Sequence, residues 1–474
     1  MSELSVTAES RALIADIARR PVMDIVRGAF FVGILLLVWI SLRPFADLSG
    51  FYVGDVVTGK DAVLYALFGV LMVAMLALTL RDNQPALKSL LTPAFLLFAG
   101  WICVTVVLSS DPATSLRRLA LSVFVIVVTA TLLLLPKSQG ELMRWFGIAA
   151  LVLLVTCYLG VVLAPDLSIH QATDPQEPAL AGNWRGAFGH KNVAAAMMAM
   201  LIFLGIYLMR AGGWLSGIAV TGLAAVFLFF TAGKSAIVLC VAVLMLTALM
   251  PVVCSLWGRA LLLLTPLVLL NLFSVGTVMS DTLAAIADRM PIDTSFTGRA
   301  DIWAFALESL HQRLWTGYGF ESFWGTSAIQ NLQEGKEWAG YASHSHNGYL
   351  DTALGTGLPG LVLLIAAVVV KPLRDFQAAD RGGNDAPLTM LFLRIWLFGL
   401  YLSSMESFFL DRADTIWVTF LIAVFGLHYL ARFRMRSEVY SCARTALATS
   451  AHQPSKSNGT GVVSRFSAVT IRSA

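Results

Sequence analysis

The chain has 474 residues, 57% hydrophobic and 13% charged, with a mean hydropathy of +0.76 and a formal net charge of +4. A soluble domain carries charge on about a quarter of its residues, so a water-soluble enzyme is excluded and an all-α polytopic membrane protein is expected. Cys103, Cys157, Cys240, Cys254 and Cys442 lie without metal-type spacing, so no disulfide framework or cysteine metal site is implied.

The first 26 residues are polar, contain Arg11, Arg19 and Arg20, and precede a full-length apolar run. They resemble a signal anchor more than a cleaved signal peptide. Runs approaching the roughly 20 residues that cross a bilayer are predicted near 27–43, 62–80, 91–108, 119–135, 145–164, 193–209, 214–230, 235–250, 260–279, 349–370, 390–409 and 415–431. That is about 12 transmembrane helices in one membrane domain, 27–431, after a cytoplasmic segment, 1–26. The tail, 432–474, is basic, rich in Ser, Thr and Ala, and lacks apolar periodicity, so it is expected to be disordered.

An even number of spans puts both termini in one compartment. Loops on their side hold 20 Lys and Arg, counted from the sequence, and loops on the other side hold 12. The positive-inside rule then makes both termini cytoplasmic. The outer face still keeps Arg117, Arg118, Arg185, Lys191, Lys234, Arg299 and Arg412 against that bias, which points to an anionic ligand there. The alternative is that they pair with Asp111, Asp301 and Asp411. Arg394, near the inner end of the eleventh span, is expected to snorkel to the cytoplasmic surface.

Two outer segments are long, about 165–192 and 280–348, and long loops are often functional. The first ends in Arg185-Gly-Ala-Phe-Gly-His190-Lys191-Asn192. It delivers cations to the start of the sixth span, where free N–H groups favour an anion such as a diphosphate. In the second, Ile302, Trp303, Ala306, Leu307, Leu310 and Leu314 recur at helical spacing from Arg299. An amphipathic helix lying at the membrane surface is expected, with Thr297 and Gly298 as its start and Gly317 as its stop.

Next come His344, His346 and Asn347. An imidazole can take a proton from a hydroxyl near neutral pH, and an asparagine can hold a sugar or set the tautomer. Asp351, about one turn inside the tenth span, needs a partner, and Gly355, Gly357 and Gly360 allow close helix packing. A zinc or manganese site from His344, His346 and Asp351 competes with this reading but lacks a defined ligand set. Glu321 and Glu406 complete the candidates, as partners of arginines or as bases.

In order, R-G-x-F-G-H-K-N (Arg185 to Asn192), T-G-R-x-x-x-W (Thr297 to Trp303) with G-Y-G-F after it, and H-x-H-N followed by G-x-x-G resemble the bacterial O-antigen ligase and O-antigen/exopolysaccharide polymerase superfamily. The G-H-K-N form is similar to ExoQ-type exopolysaccharide polymerases more than to lipid A–core ligases, and Leu361-Val362 stands where the ligases continue with T-G. The resemblance implies a GT-C-like membrane fold with a large periplasmic loop. It also implies metal-independent glycosyl transfer from undecaprenyl-diphosphate-linked oligosaccharide at the periplasmic face of the inner membrane.

By motif, Arg185 and Arg299 hold the diphosphate and His346 assists the acceptor hydroxyl or the leaving group. His190, Lys191, Asn192, His344, Asn347, Glu321, Asp351 and Glu406 bind substrate. No cofactor, metal or nucleic acid is expected. The partners implied are the growing polysaccharide or a lipid A–core acceptor, with a chain-length regulator and a flippase of the same pathway. Two alternatives are an O-antigen ligase and a lipid-linked saccharide flippase.

Overall fold

A computed structural model describes residues 8–42, 44–48, 60–174, 177–289, 299–326, 329, 342–383 and 385–434, with side chains from Val22 onward except at 60 and 61. Thr297, Gly298 and the tail beyond 434 lie outside the described residues. Helices α1 (Ala8–Ile40), α2 (Lys60–Thr79), the short α3 (Gln84–Ser89), α4 (Pro93–Val107), α5 (Pro112–Leu132) and α6 (Gln139–Leu163) lead to a four-residue α7 (Pro165–Ser168). After it come α8 (Lys191–Arg210), α9 (Trp214–Phe230), α10 (Lys234–Ala248), α11 (Leu256–Leu272) and the short α12 (Val275–Met279) and α13 (Asp281–Ala287). The last are α14 (Arg299–Gln312), α15 (Gly348–Ile365), α16 (Lys371–Arg381), α17 (Ala386–Leu402) and α18 (Thr415–Leu430).

The chain marks many helix starts with its own polar side chains. Thr92, Asp111, Ser138, Ser255, Asp385 and Asp414 each accept a hydrogen bond from a backbone N–H two or three residues into the helix that follows. Proline at the first turn of α4, α5 and α17 needs no donor there.

Six stretches are long and apolar enough to cross a membrane, within α1, α2, α5, α6, α8 and the continuous run Gly348–Arg381. Six shorter apolar helices, α4, α9, α10, α11, α17 and α18, complete a one-to-one match with the predicted segments. Every residue of α18 and most of α8 and α17 are buried, forming the centre. Val162, Leu163, Phe229, Val238, Met245 and Leu261 point outward from α6, α9, α10 and α11. Such an apolar girdle fits lipid rather than water.

Polar contacts gather at the two ends of this bundle. At one, Trp184 N–H donates to Phe230 O (3.0 Å), Ser110 N–H to Tyr318 O (3.0 Å) and Asn271 Nδ2 to Ser404 Oγ (2.8 Å). At the other, Lys137 meets Asp24, Arg259 meets Asp380 (2.6 Å) and Ser89 meets His428 (2.8 Å).

Three local expectations are corrected. The tenth segment is not a plain helix: Gly357 breaks it (φ 69°, ψ 178°), and a π-helical turn, Ala366–Val370, carries it into α16. Into the break docks the Trp315–Gly319 loop. Tyr318 and Gly319 N–H donate to Leu354 and Gly355 O (2.8 and 3.1 Å), and Leu358 N–H donates to Leu314 O (2.9 Å). Backbone groups freed by the break are thus satisfied by protein.

Helix α14 buries Trp303, Ala306 and Leu310 against Leu350, Ala353 and Leu354 of α15, instead of offering its apolar face to the membrane surface. Arg394 does not snorkel. It is buried, and its Nε donates to Thr247 Oγ1 (3.1 Å) on α10, which satisfies a guanidinium N–H inside the protein.

Candidate functional site

Glu406, in the 403–414 loop between α17 and α18, is the hub. One carboxylate oxygen accepts from Asn192 Nδ2 (2.9 Å) and Arg299 (3.0 Å), and the other faces His346 Nδ1 (3.2 Å). Arg299 also donates to Met405 O. Burial would raise the Glu406 carboxyl, but the His346 hydrogen bond and the Arg299, His346 and His344 charges outweigh it and hold it at about 2. It is a carboxylate throughout the physiological range.

His346 is held in a left-handed backbone conformation (φ 55°), which a non-glycine residue adopts only when its surroundings impose it. Here they do. Trp303 Nε1 donates to Ser345 O (2.9 Å), and both Asp351 oxygens accept from Ser345 N–H (3.1 Å each) while Oδ1 also takes Trp324 Nε1 (2.8 Å). Asn347 is the N-cap of α15, accepting from Tyr349 and Leu350 N–H (3.1 and 3.0 Å) and donating to Asn271 and Ser404 O (3.1 and 3.2 Å). Asp351 and Asn347 therefore shape the turn that presents His346. His344 packs edge-on against His346, ring centroids 4.2 Å apart, and its Nδ1 accepts from His346 N–H (3.3 Å). Burial and the neighbouring imidazole push the His344 imidazole below its ordinary value.

At the start of α8, His190 caps the helix by accepting from Asn192 N–H (3.1 Å), and its Nε2 meets Glu177 (2.7 Å). The His190 hydrogen bond holds Glu177 below the usual carboxylate range, with His346 adding to the effect. Buried His170, paired with Asp174 (3.2 Å), accepts from Lys191 N–H (3.2 Å). Arg185 is only 1% exposed, and its guanidinium donates to Phe188 O (3.3 Å) and Ala46 O (2.7 Å). It faces backbone carbonyls and staples the 44–48 loop to the turn before α8. Gly186 needs its positive φ of 58° in that turn, and a Cβ there would meet Phe227 and Cys157 at about 3 Å.

Glu321 stands apart from this hub. It pairs with Arg412 (3.1 Å) and takes the Arg118 guanidinium on its backbone carbonyl. Burial, then Asp411, push its carboxyl up to about 8 against the two arginines.

The structure thus brings His346, Arg299, Asn192 and Glu406 into direct contact, with His190, Lys191 and His344 beside them. Arg185 and Glu321 lie in separate contact sets. Among the described residues, no three His, Cys, Asp or Glu side chains gather as a metal site, and Asp351 is spent on Ser345 and Trp324. Sequence reasoning missed Glu177, Asn271 and the docking of G-Y-G-F. The six-residue run Gly355–Gly360, with three glycines and a proline, was the available signal of a broken helix.

Residues 219–365 match the family described as O-Antigen ligase. The chain is also similar to the Exopolysaccharide production protein ExoQ of Rhizobium meliloti (strain 1021), 25% identical over 333 residues, covering 64% of this chain and 71% of that protein.

Proposed function

We propose that this chain, which belongs to the O-antigen ligase and ExoQ-type superfamily, joins undecaprenyl-diphosphate-linked repeat units into a polysaccharide at the periplasmic face of a bacterial inner membrane. The coarser role, of polysaccharide polymerase or ligase type, follows from the family. The observation that carries the finer reading is the single carboxylate, Glu406, on which residues of three separate segments converge. All twelve apolar helices cross in this reading, with both termini cytoplasmic, a chain-length regulator and a flippase acting beside it, and a GT-C-like fold.

The chemistry follows from the donors. Arg299 and Lys191 hold the lipid diphosphate, with the α8 N-terminus, capped by His190, adding its field. Two of the five Arg299 N–H donors are committed among the described residues, leaving others for phosphate oxygens. Glu406 takes the His346 Nδ1 proton in a hydrogen bond, so Nε2 is the acceptor. It removes the proton from the attacking sugar hydroxyl as the new glycosidic bond forms and the anomeric C–O bond to the diphosphate breaks, with inversion. Developing charge on the diphosphate is stabilised by the guanidinium and ammonium groups. The diphosphate is a good leaving group already, so the mechanism calls for no metal.

Cells carrying Arg299→Ala or His346→Ala should export lipid-linked single repeats but make no long chains. Normal chain length in both variants overturns the reading. A ligase is the second reading, favoured by the family description itself. Its variants would accumulate long polymer still on the carrier lipid. A flippase fits less well, because these charges crowd one end of the bundle instead of its midplane.

A further inference from the structure

Arg118, Glu321 and Arg412 form a second polar cluster at the same end of the bundle as Glu406. Arg118 comes from the first turns of α5, Glu321 from the loop after α14, and Arg412 from the loop that also carries Glu406. The loop holding Glu321 is pinned in place. Ser109 donates to Tyr318 O (3.2 Å), Ser115 to Phe320 O (2.8 Å), and Arg118 to Glu321 O. Glu321 itself is forced into a left-handed conformation (φ 49°) that a non-glycine residue takes only under such constraint.

A closed ion-pair network would satisfy every oxygen. This one does not. Glu321 Oε2 meets Arg412 Nε at 3.1 Å, but Glu321 Oε1 is buried with no partner among the described residues. Arg118 and Arg412 lie close enough to repel each other, a cost that an anion between them would relieve. Arg412 sits in the same 403–414 loop as Glu406, six residues further on, so the cluster and the hub share one loop.

We propose that Arg118, Glu321 and Arg412 are an acceptor-side subsite for a sugar bearing one carboxylate, whose acid group the two guanidiniums grip while the open Glu321 oxygen bonds a ring hydroxyl. The claim rests on the glycosyl-transfer reading above and names its substrate class. Burial pushes the Glu321 carboxyl up to about 8, so it offsets only part of the charge of the two guanidiniums, and Asp411 stands 3.9 Å from Arg412. That matches a monoanionic sugar better than a diphosphate.

The test uses the full-length protein in nanodiscs, with methyl β-D-glucuronide and methyl β-D-glucoside as probes in a saturation-transfer or calorimetric titration. The native protein should bind the glucuronide about tenfold more tightly, the scale of one charge-assisted bidentate contact. Arg118→Gln and Arg412→Gln should bring the ratio near one. Glu321→Gln, which leaves both guanidiniums, should keep it. If Arg118→Gln does not fold, Arg412→Gln decides, since that side chain is a third exposed. Equal binding by the native protein overturns the subsite, as does a preference that survives Arg412→Gln. Stronger displacement of the glucuronide by glycerol phosphate than by further glucuronide also overturns it, in favour of a lipid headgroup. Arg299→Gln separates the two readings. It should abolish transfer and leave the glucuronide preference intact, whereas unchanged transfer would sink the proposed function and spare the subsite.

Discussion

Replacing Glu406 by glutamine tests the core of the mechanism with almost no change in volume. The native carboxyl sits at about 2 against an ordinary 4.5, so its surroundings favour the ionised form by about 3 kcal/mol. The asparagine, the arginine and the imidazole that donate to it lose that advantage in the variant. Glutamine can still accept from Arg299 and Asn192 through one oxygen, but it presents an NH₂ to His346 Nδ1 where an acceptor stood. Nδ1 must then accept, the ring proton moves to Nε2, and the base is lost. A lost general base lowers turnover by about 10²–10⁴-fold. The assay is polymer formation from lipid-linked repeat units by purified protein in liposomes, read as chain length on a gel. Substrate affinity should change little, because Arg299 keeps its other contacts. Turnover within about threefold of native would refute the claim that Glu406 sets the His346 tautomer. The same carboxylate also makes stability depend on acid. Its contribution is fully present above about 4.5 and is lost as pH falls toward 2, so the native protein should lose its margin over Glu406→Gln in that window.

Three further outcomes are expected. Gly357→Ala should cost about 3 kcal/mol or more, since only glycine adopts φ 69°, ψ 178° easily and a Cβ there would lie 2.2 Å from Trp315 O. Gly222→Ala, with open space around it, is the control and should leave thermal unfolding near native. Glu321→Gln should flatten the pH dependence of stability. The folded carboxyl near 8 lies above an ordinary 4.5, so the native protein is favoured below about 4.5 and loses that stabilisation as pH rises through 8, as melting at pH 5, 7 and 9 will show. Asp351→Asn should destabilise the protein by about 1–3 kcal/mol, because one amide oxygen cannot replace two carboxylate oxygens on Ser345 N–H and Trp324. It should also lower turnover through His346, and melting and turnover that both stay native would contradict that role.

Much of the helix pattern was legible because burial in lipid leaves a one-dimensional trace. A run of apolar residues reads the same whatever it packs against, and the twelve segments coincide with twelve apolar helices. The start of α8 at Lys191 and the span of α14 from Arg299 were equally local, set by glycine, a cap and helical spacing. The destinations of polar side chains were not. The charge and motif of Arg185 point to a diphosphate ligand, yet it donates to Ala46 O, 139 residues away. Nothing near position 185 announces that carbonyl. Asn347 and Asp351 look like site residues beside a histidine pair, and they matter to the site as the scaffold of a turn. The position of Arg394 near the end of a span points to the surface, and a threonine 147 residues away takes its Nε instead.

Glu406 shows why the centre itself resists linear reading. Its three bonds reach across 214, 107 and 60 residues, and each partner alone is an ordinary interfacial residue. What turns them into a site is mutual dependence. Without Arg299 the half-buried carboxylate is left short of a cation. Without the carboxylate, His346 has no acceptor to fix its tautomer, and its left-handed turn serves no purpose. Each half-buried charge is held in place by the others, so the group should behave as one unit under mutation. Combining Arg299→Ala with Glu406→Gln should therefore cost less in stability than the sum of the two single changes, by about 1–3 kcal/mol, because the first removes the cation whose partner the second neutralises. Strict additivity in a double-mutant cycle of melting free energies would mean that the 3.0 Å contact does not exist in solution.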